Sequence, residues 1–186
     1  METTLETSEN PKKLAFTNGL IWAAINIAIF LVIYYVKADW MGNTLYQIIQ
    51  FLIGLGLAIY FCMDLRKKLG GYWSFKEALG TIFIMFVTQA LIVYFFTIIF
   101  GKFIEPEYAV KMEEITVNAT TSMMEKMGSS QEEIDEVLEK SAENSNMSGK
   151  KILTGLGGVI IMYFIGALIF AAIFKKERPM FVNAEE

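Results

Sequence analysis

Four stretches of the chain, at 14–36, 45–63, 78–100 and 152–174, contain no Asp, Glu, Lys or Arg. A helix needs about 20 apolar residues to cross the hydrocarbon core of a bilayer, and even the shortest stretch supplies 19. Inside lipid the backbone must satisfy its own hydrogen bonds, which leaves only helices or closed barrels. Barrel strands alternate apolar and polar residues over about 10 positions. These stretches do not alternate, so they predict four transmembrane helices. Composition agrees: apolar residues make up 54% and charged residues 19% of the 186, against about 25% charged in ordinary soluble domains. That balance excludes a disordered chain. The formal net charge of −4 argues against a nucleic-acid partner. The chain has no His and one Cys. It therefore lacks the commonest general base and metal ligand, and it can form neither an intramolecular disulfide nor a Cys-based metal site.

The first stretch follows Lys12 and Lys13 and ends at Val36-Lys37-Ala38, which resembles a signal-peptide cleavage site. Its apolar part exceeds the roughly 7–15 residues of a signal core. The first ten residues also carry Glu2, Glu6 and Glu9 with no basic residue. The stretch is therefore read as a retained span.

Orientation follows from Lys and Arg near the helix ends. Lys12 and Lys13, then Arg66, Lys67, Lys68 and Lys76, then Lys175, Lys176 and Arg178 fall on three segments that share one face in a four-span chain. These are nine of the 16 basic residues. The opposite face holds Lys37 and the loop 101–151, which has six Lys against eleven acids. Both termini are expected in the cytoplasm, with the acidic loop outside. Tyr34, Tyr35 and Trp40 are expected at one interface, Tyr72 and Trp73 at the other.

The loop 101–151 is too long for a plain connection. Pro106 after Glu105 suits a first helical position, where Glu107 favours the helix dipole. Tyr108, Met112, Ile115, Ala119 and Met123 recur at helical spacing, and Gly128 is a natural stop. Two overlapping capping boxes follow, Ser129 with Glu132 or Ser130 with Glu133. Ile134, Val137, Leu138 and Ser141 continue an apolar stripe, and 144–149 reads as a polar turn. The loop is predicted to be a helical hairpin whose apolar face lies on the membrane, on the chain itself or on a partner.

Candidate site residues are few. Ser74-Phe75-Lys76-Glu77 has the form of a functional motif, but Ser74 and Glu77 also make a capping box for the third span, and that structural reading is preferred. Asn26, Thr88 and Gln89 lie inside spans one and three, with Gln47 and Gln50 near the outer end of span two. Such amides either bond between helices or line a polar path for a solute. No mid-span carboxylate or His is present to couple such a path to protons. Ala24, Ala28, Gly54, Gly56, Gly155, Gly157, Gly158, Ala167 and Ala171 mark faces where helices can approach closely.

Met112, Met123, Met124, Met127 and Met147 could hold Cu(I), which favours soft ligands, but Met also suits adaptable packing and binding surfaces. Glu132, Glu136, Glu139 and Glu143 form a helical stripe, read as a solvated face rather than a divalent-cation site. Asn118-Ala119-Thr120 and Asn146-Met147-Ser148 match the glycosylation acceptor pattern, which would be silent in a bacterium. Cys62 reads as a packing residue. No phosphate-binding loop, nucleophile elbow or His-based catalytic constellation occurs.

With these residues in view, the chain resembles a bacterial membrane family, best known from Bacteroidetes, built on the domain of unknown function 4199. Ser74-Phe75-Lys76-Glu77-Ala78 resembles the opening of its third span, and Ile104-Glu105-Pro106-Glu107-Tyr108 is similar to its Ile-Asp-Pro-Glu-Tyr loop start. Ala171-Ala172-Ile173-Phe174-Lys175-Lys176 looks like its basic finish. The likeness covers about residues 14–178. Glu105 departs from the family's Asp, and Ser148-Gly149 from its Ser-Pro. The resemblance implies four spans and a built-in loop element, with no activity, cofactor or catalytic residue.

The expected architecture is all-α. It comprises a cytoplasmic tail (1–13), a four-helix membrane domain (14–178) with an extracytoplasmic amphipathic helical hairpin between helices three and four, and a second cytoplasmic tail (179–186). The leading function is an interaction or accessory protein of the inner membrane, not an enzyme, with no cofactor and no metal. The lipid bilayer and a membrane-protein partner or second copy are its expected partners. A small-solute transporter or channel component is the second reading, with an intramembrane enzyme or a copper-handling protein behind it.

Overall fold

The structure is a computed structural model that describes residues 10–145 and 149–177, with side chains throughout except at 141–145 and 149–153. Several sequence expectations lie outside the described residues: the acidic N-terminal residues, most of the 144–149 turn with its glycosylation pattern, the side chain of Glu143, Arg178 and the C-terminal tail. The described chain runs α1 (Pro11–Lys37), a 3₁₀ turn (Ala38–Gly42), α2 (Thr44–Lys68), α3 (Phe75–Ile99) with a π-helical turn (Phe100–Ile104), α4 (Tyr108–Lys126), α5 (Gln131–Ser145) and α6 (Gly149–Phe174). No strand occurs among the described residues, where extended pairing is limited to an isolated antiparallel bridge between Trp73 and Lys176. The fold is all-α. Four of its helices are long and apolar enough to cross a membrane: α1, α2, α3 with its π turn, and α6. The protein is thus a multi-pass membrane protein.

Local chemistry sets the helix ends. Asn10 caps α1, accepting the Lys12 N–H at 3.0 Å, and Pro11 follows at the position where a missing N–H costs nothing. Asn43 caps α2 in the same way, accepting the Leu45 N–H at 2.8 Å. α2 and α4 both stop on glycines of positive φ, Gly70 at 87° and Gly128 at 78°. At each, the N–H groups bond back to carbonyls of the last turn: Gly71 to Arg66 and Gly70 to Lys67, then Ser129 to Met124 and Gly128 to Glu125. Paired bonds of this kind close a helix when the residue after its cap turns left-handed. All four spanning helices run past the uncharged stretches, α2 as far as Lys68 and α1 back to Pro11. Charged residues there can reach water with long side chains while the backbone stays helical.

The described residues form two compact units. The first takes its residues from Met1–Ile25, Gly54–Ile92 and Gly158–Glu186. Its core holds small residues, with Ala15, Cys62, Ala78, Ala167 and Ala171 fully buried beside Trp22, Phe61, Leu65 and Phe86. Gly19 explains how closely α1 and α3 meet here. A Cβ on Gly19 would lie 2.8 Å from both the Met85 carbonyl oxygen and Thr88 Cβ. Trp22 stacks on Phe61 at 5.9 Å and meets Phe86 edge-on at 5.5 Å, a geometry aromatic rings favour.

The second unit comprises Asn26–Ile53 and Val93–Gly157. Its core is built on Phe100, whose ring lies 5.2 Å from Tyr34, 5.3 Å from Phe30, 5.5 Å from Tyr108 and 5.7 Å from Phe96. α4 closes onto this cluster through Ile115, buried with Tyr34, Ala38 and Phe100. Two glycines make room: a Cβ on Gly42 would strike Ile115 at 2.8 Å, and one on Gly101 would strike the Tyr108 ring at 2.6 Å. The apolar stripe of α4 therefore packs on the chain itself along Tyr108, Met112 and Ile115.

Several expectations need correction. The helix after Pro106 starts at Tyr108, not at Pro106. The π turn closes through the Glu105 N–H to the Phe100 carbonyl, and the Tyr108 N–H then bonds to the Glu105 carbonyl at 2.9 Å. Pro106 thus takes the second position of a tight turn, where its fixed φ fits, and Glu105 caps nothing with its side chain. Met123 is 64% exposed, because each four-residue step overshoots a 3.6-residue turn by about 40°. Tyr34 and Trp73 are buried in the two cores, while Tyr35, Trp40 and Tyr72 are exposed. Of the two overlapping capping boxes, Ser130 with Glu133 forms: the Ser130 N–H donates to Glu133 Oε2 at 2.9 Å, and the Glu133 N–H to Ser130 Oγ at 3.3 Å.

Candidate functional site

The first unit contains a cleft of about 910 Å³, formed by the starts of α1 and α3, the α2–α3 connection and the residues after α6. Ser74 and Glu77 sit in its wall. The Ser74 N–H and hydroxyl donate to Glu77 Oε2 at 3.1 and 2.6 Å, and the Glu77 N–H donates to Ser74 Oγ at 3.4 Å. The pair is the capping box of α3, and it turns the Glu77 carboxylate back onto its own helix start. Lys12, Lys76 and Lys176 also line the cleft, with Glu177 as its other acid. The Trp73–Lys176 bridge fixes one side, through N–H to carbonyl bonds of 2.6 and 2.8 Å in the two directions. Lys176 Nζ lies 5.6 Å from the centre of the Tyr72 ring, within cation–π range. Leu69, Gly80, Thr81 and Ile84 also line the cleft.

A polar network that the sequence reading passed over lies in the same unit. Asn18, almost wholly buried, donates from Nδ2 to Asp64 Oδ2 at 3.0 Å. Lys68 Nζ reaches the same oxygen at 2.7 Å. The signal was present: Asp64 is the one acid in a run that continues Arg66, Lys67 and Lys68, and Asn18 lies in span one. Their pairing is not legible in sequence, because 46 residues separate them.

The amides fare differently. The side-chain oxygens of Asn26, Gln50 and Gln89 are all buried without a hydrogen-bond partner among the described residues, as are the indole N–H groups of Trp22 and Trp73. Gln89 belongs to the first unit, and Asn26 and Gln50 to the second. Gln47 instead donates to the Met41 carbonyl at 3.4 Å.

In the second unit, burial pushes the Tyr108 phenol above its ordinary range, so it stays protonated against the aromatic cluster. Lys111 Nζ lies 5.1 Å over the Tyr34 ring. Glu132, Glu136 and Glu139 of α5 are exposed, and Glu136 pairs with Lys140 at 2.5 Å. Among the described residues no three His, Cys, Asp or Glu side chains gather as metal ligands do. Cys62 is fully buried, as a packing role requires.

Residues 17–176 match the family model described as "Protein of unknown function (DUF4199)". No curated protein and no solved structure shows significant similarity.

Proposed function

The chain belongs to the DUF4199 family of proteins of unknown function, and from that premise we propose that it is a non-enzymatic interaction or accessory protein of the inner membrane. One observation carries this reading. A Cβ added at Gly54, Gly56, Gly157 or Gly158 would meet nothing within 4 Å, whereas one at Gly19 would collide with α3. Glycines in spanning helices serve close approach between backbones, and these four on α2 and α6 are left unused by the chain's own packing. Exposed Ile161, Met162 and Ile165 extend the α6 surface. Another membrane helix is the occupant such surfaces suit.

The test is native mass spectrometry of the tagged protein, gently extracted from its host membrane. A second polypeptide at fixed stoichiometry, released when Gly157 and Gly158 are both replaced by Leu, supports the reading. A lone monomer would overturn it.

We further place both termini in the cytoplasm, on the strength of the basic residues at 12–13, 66–68, 76 and 175–176. Exposed Met127, replaced by Cys in a Cys62→Ala background, should then react with an impermeant maleimide on intact spheroplasts. Labelling only after lysis reverses the orientation.

The second reading, a small-solute transporter or channel component, is favoured by the unpartnered oxygen of Gln89, a residue 4% exposed. A buried amide acceptor invites water or solute. Liposomes carrying the protein should then pass small polar solutes, and Gln89→Leu should reduce that flux in a still-folded protein. Flux equal in both would remove Gln89 from any such path.

A further inference from the structure

We infer that the cleft at the lysine-bearing end of the first unit is a binding site for one anionic phospholipid. Three features of the cleft define its occupant. Lys12, Lys76 and Lys176 converge on it from three separate segments of the chain, and none of them forms an ion pair with another described residue. Against these three lysines the lining sets two acids, Glu77, whose carboxylate accepts from Ser74, and Glu177. The balance favours an anionic occupant.

The lining also has apolar members. Leu69 and Ile84 are among them, and the side of α3 at Gly80 is open, since a Cβ there would meet nothing within 4 Å. α3 is long and apolar enough to cross a membrane, so this open strip starts near its charged end and continues along an apolar segment. A soluble phosphate would use the lysines and leave the strip empty. A neutral lipid would use the strip and leave the lysines unmatched. A phospholipid with net negative charge uses both, as basic pockets between spanning helices do. The cleft, at about 910 Å³, falls in the size range of small-molecule sites. Its frame is also fixed without help from the lysine side chains. The Trp73–Lys176 bridge is made by backbone groups, and the α3 start is held by Ser74 and Glu77. The charges can therefore be removed without dismantling the site.

The experiment is a lipid titration of the full chain in detergent, read by native mass spectrometry. The probes are phosphatidylglycerol, phosphatidylcholine with the same acyl chains, and glycerol phosphate as the headgroup alone. The wild type is expected to retain one phosphatidylglycerol in preference to phosphatidylcholine, with glycerol phosphate failing to displace it. Lys76→Gln with Lys176→Gln should cut the preference about thirtyfold. Gly80→Leu, whose Cβ would meet nothing within 4 Å, should narrow the strip, weaken retention of both lipids and leave the preference in place. Equal retention of the two lipids by the wild type would overturn the assignment, as would an unchanged preference in the double variant. Displacement by glycerol phosphate at concentrations matching the lipid would replace the phospholipid with a soluble phosphate and also overturn it. The helix surfaces of α2 and α6 take no part in this test, so its outcome stands apart from that of the partner experiment.

Discussion

The two units of this chain are held together by different means. In the first, α1 and α3 meet at backbone distance over Gly19, and small side chains fill the space between a few large ones. In the second, rings pack on rings around Phe100, and α4, which is not one of the spanning helices, lies against them. Lipid tails are as apolar as leucine, so burying apolar area between spanning helices gives little net drive. Close contact and buried hydrogen bonds must supply it instead. The first unit has both, in Gly19 and in the Asn18–Asp64 bond. The second unit includes a helix with charged faces and can draw on aromatic burial and ring geometry. Each unit should therefore fail to a different kind of substitution.

The largest effect is expected at Phe100. Its side chain is 1% exposed and touches the Phe30, Tyr34, Phe96 and Tyr108 rings. Phe100→Ala should cost about 3–5 kcal/mol. Limited proteolysis should cut α4 far faster than in the wild type. Cys62, fully buried in the first unit, should stay unreactive toward N-ethylmaleimide. If Cys62 reacts as fast as in the denatured protein, the units are not held separately and the contrast collapses.

The converse substitution is Gly19→Val. The new Cβ has no room beside the Met85 carbonyl and Thr88, and overpacking of this kind costs about 1–3 kcal/mol. Here Cys62 should become reactive while α4 keeps its resistance to protease. Gly56→Val is the matched control: nothing stands within 4 Å of its Cβ position, so Cys62 should remain protected.

Asp64→Ala sharpens the same point. It leaves the buried Asn18 amide without the acceptor it now has at 3.0 Å, a loss of about 1–3 kcal/mol. Asn18→Leu together with Asp64→Ala should recover part of it, because an apolar pair leaves no stranded donor. A double variant no better than the single would assign the loss to Lys68 instead.

What the sequence disclosed, and what it did not, follows the same division. Four uncharged stretches are enough to predict four spanning helices, since the constraint from lipid acts on every residue of a span. Ser74 with Glu77, Ser130 with Glu133, and Gly128 were legible because caps are local, with all partners within five residues. Gly19 was not: its role depends on Met85 and Thr88, far along the chain. Of the glycines that did attract notice, a Cβ on Gly54, Gly56, Gly157 or Gly158 would meet nothing within 4 Å, and one on Gly155 would meet only the Tyr94 hydroxyl, at 3.5 Å. Spacing of small residues reveals where a helix can be approached, not by what. Lys12, Lys76 and Lys176 were read as a charge pattern for orientation, and only the fold gathers them into one cleft. The core roles of Tyr34 and Trp73 were hidden for a related reason, because aromatic residues near span ends suit both an interface and a buried core.

The smallest effects should come from the two capping boxes, and they ask whether the units differ when the local device is the same. Ser74→Ala and Ser130→Ala each remove a hydroxyl that accepts a backbone N–H, from Glu77 at 3.4 Å and from Glu133 at 3.3 Å. Each should cost about 1 kcal/mol. The Ser74 hydroxyl also donates to Glu77 Oε2 at 2.6 Å, a short bond to a charged acceptor, whereas no such second bond holds Ser130. Amide exchange at Glu77 should therefore accelerate more than exchange at Glu133, which should rise about fivefold. Equal acceleration would mean that the Ser74 hydroxyl's bond to Glu77 adds nothing to the cap. The start of α3, the wall of the lysine cleft, would then be held no more firmly than the exposed start of α5.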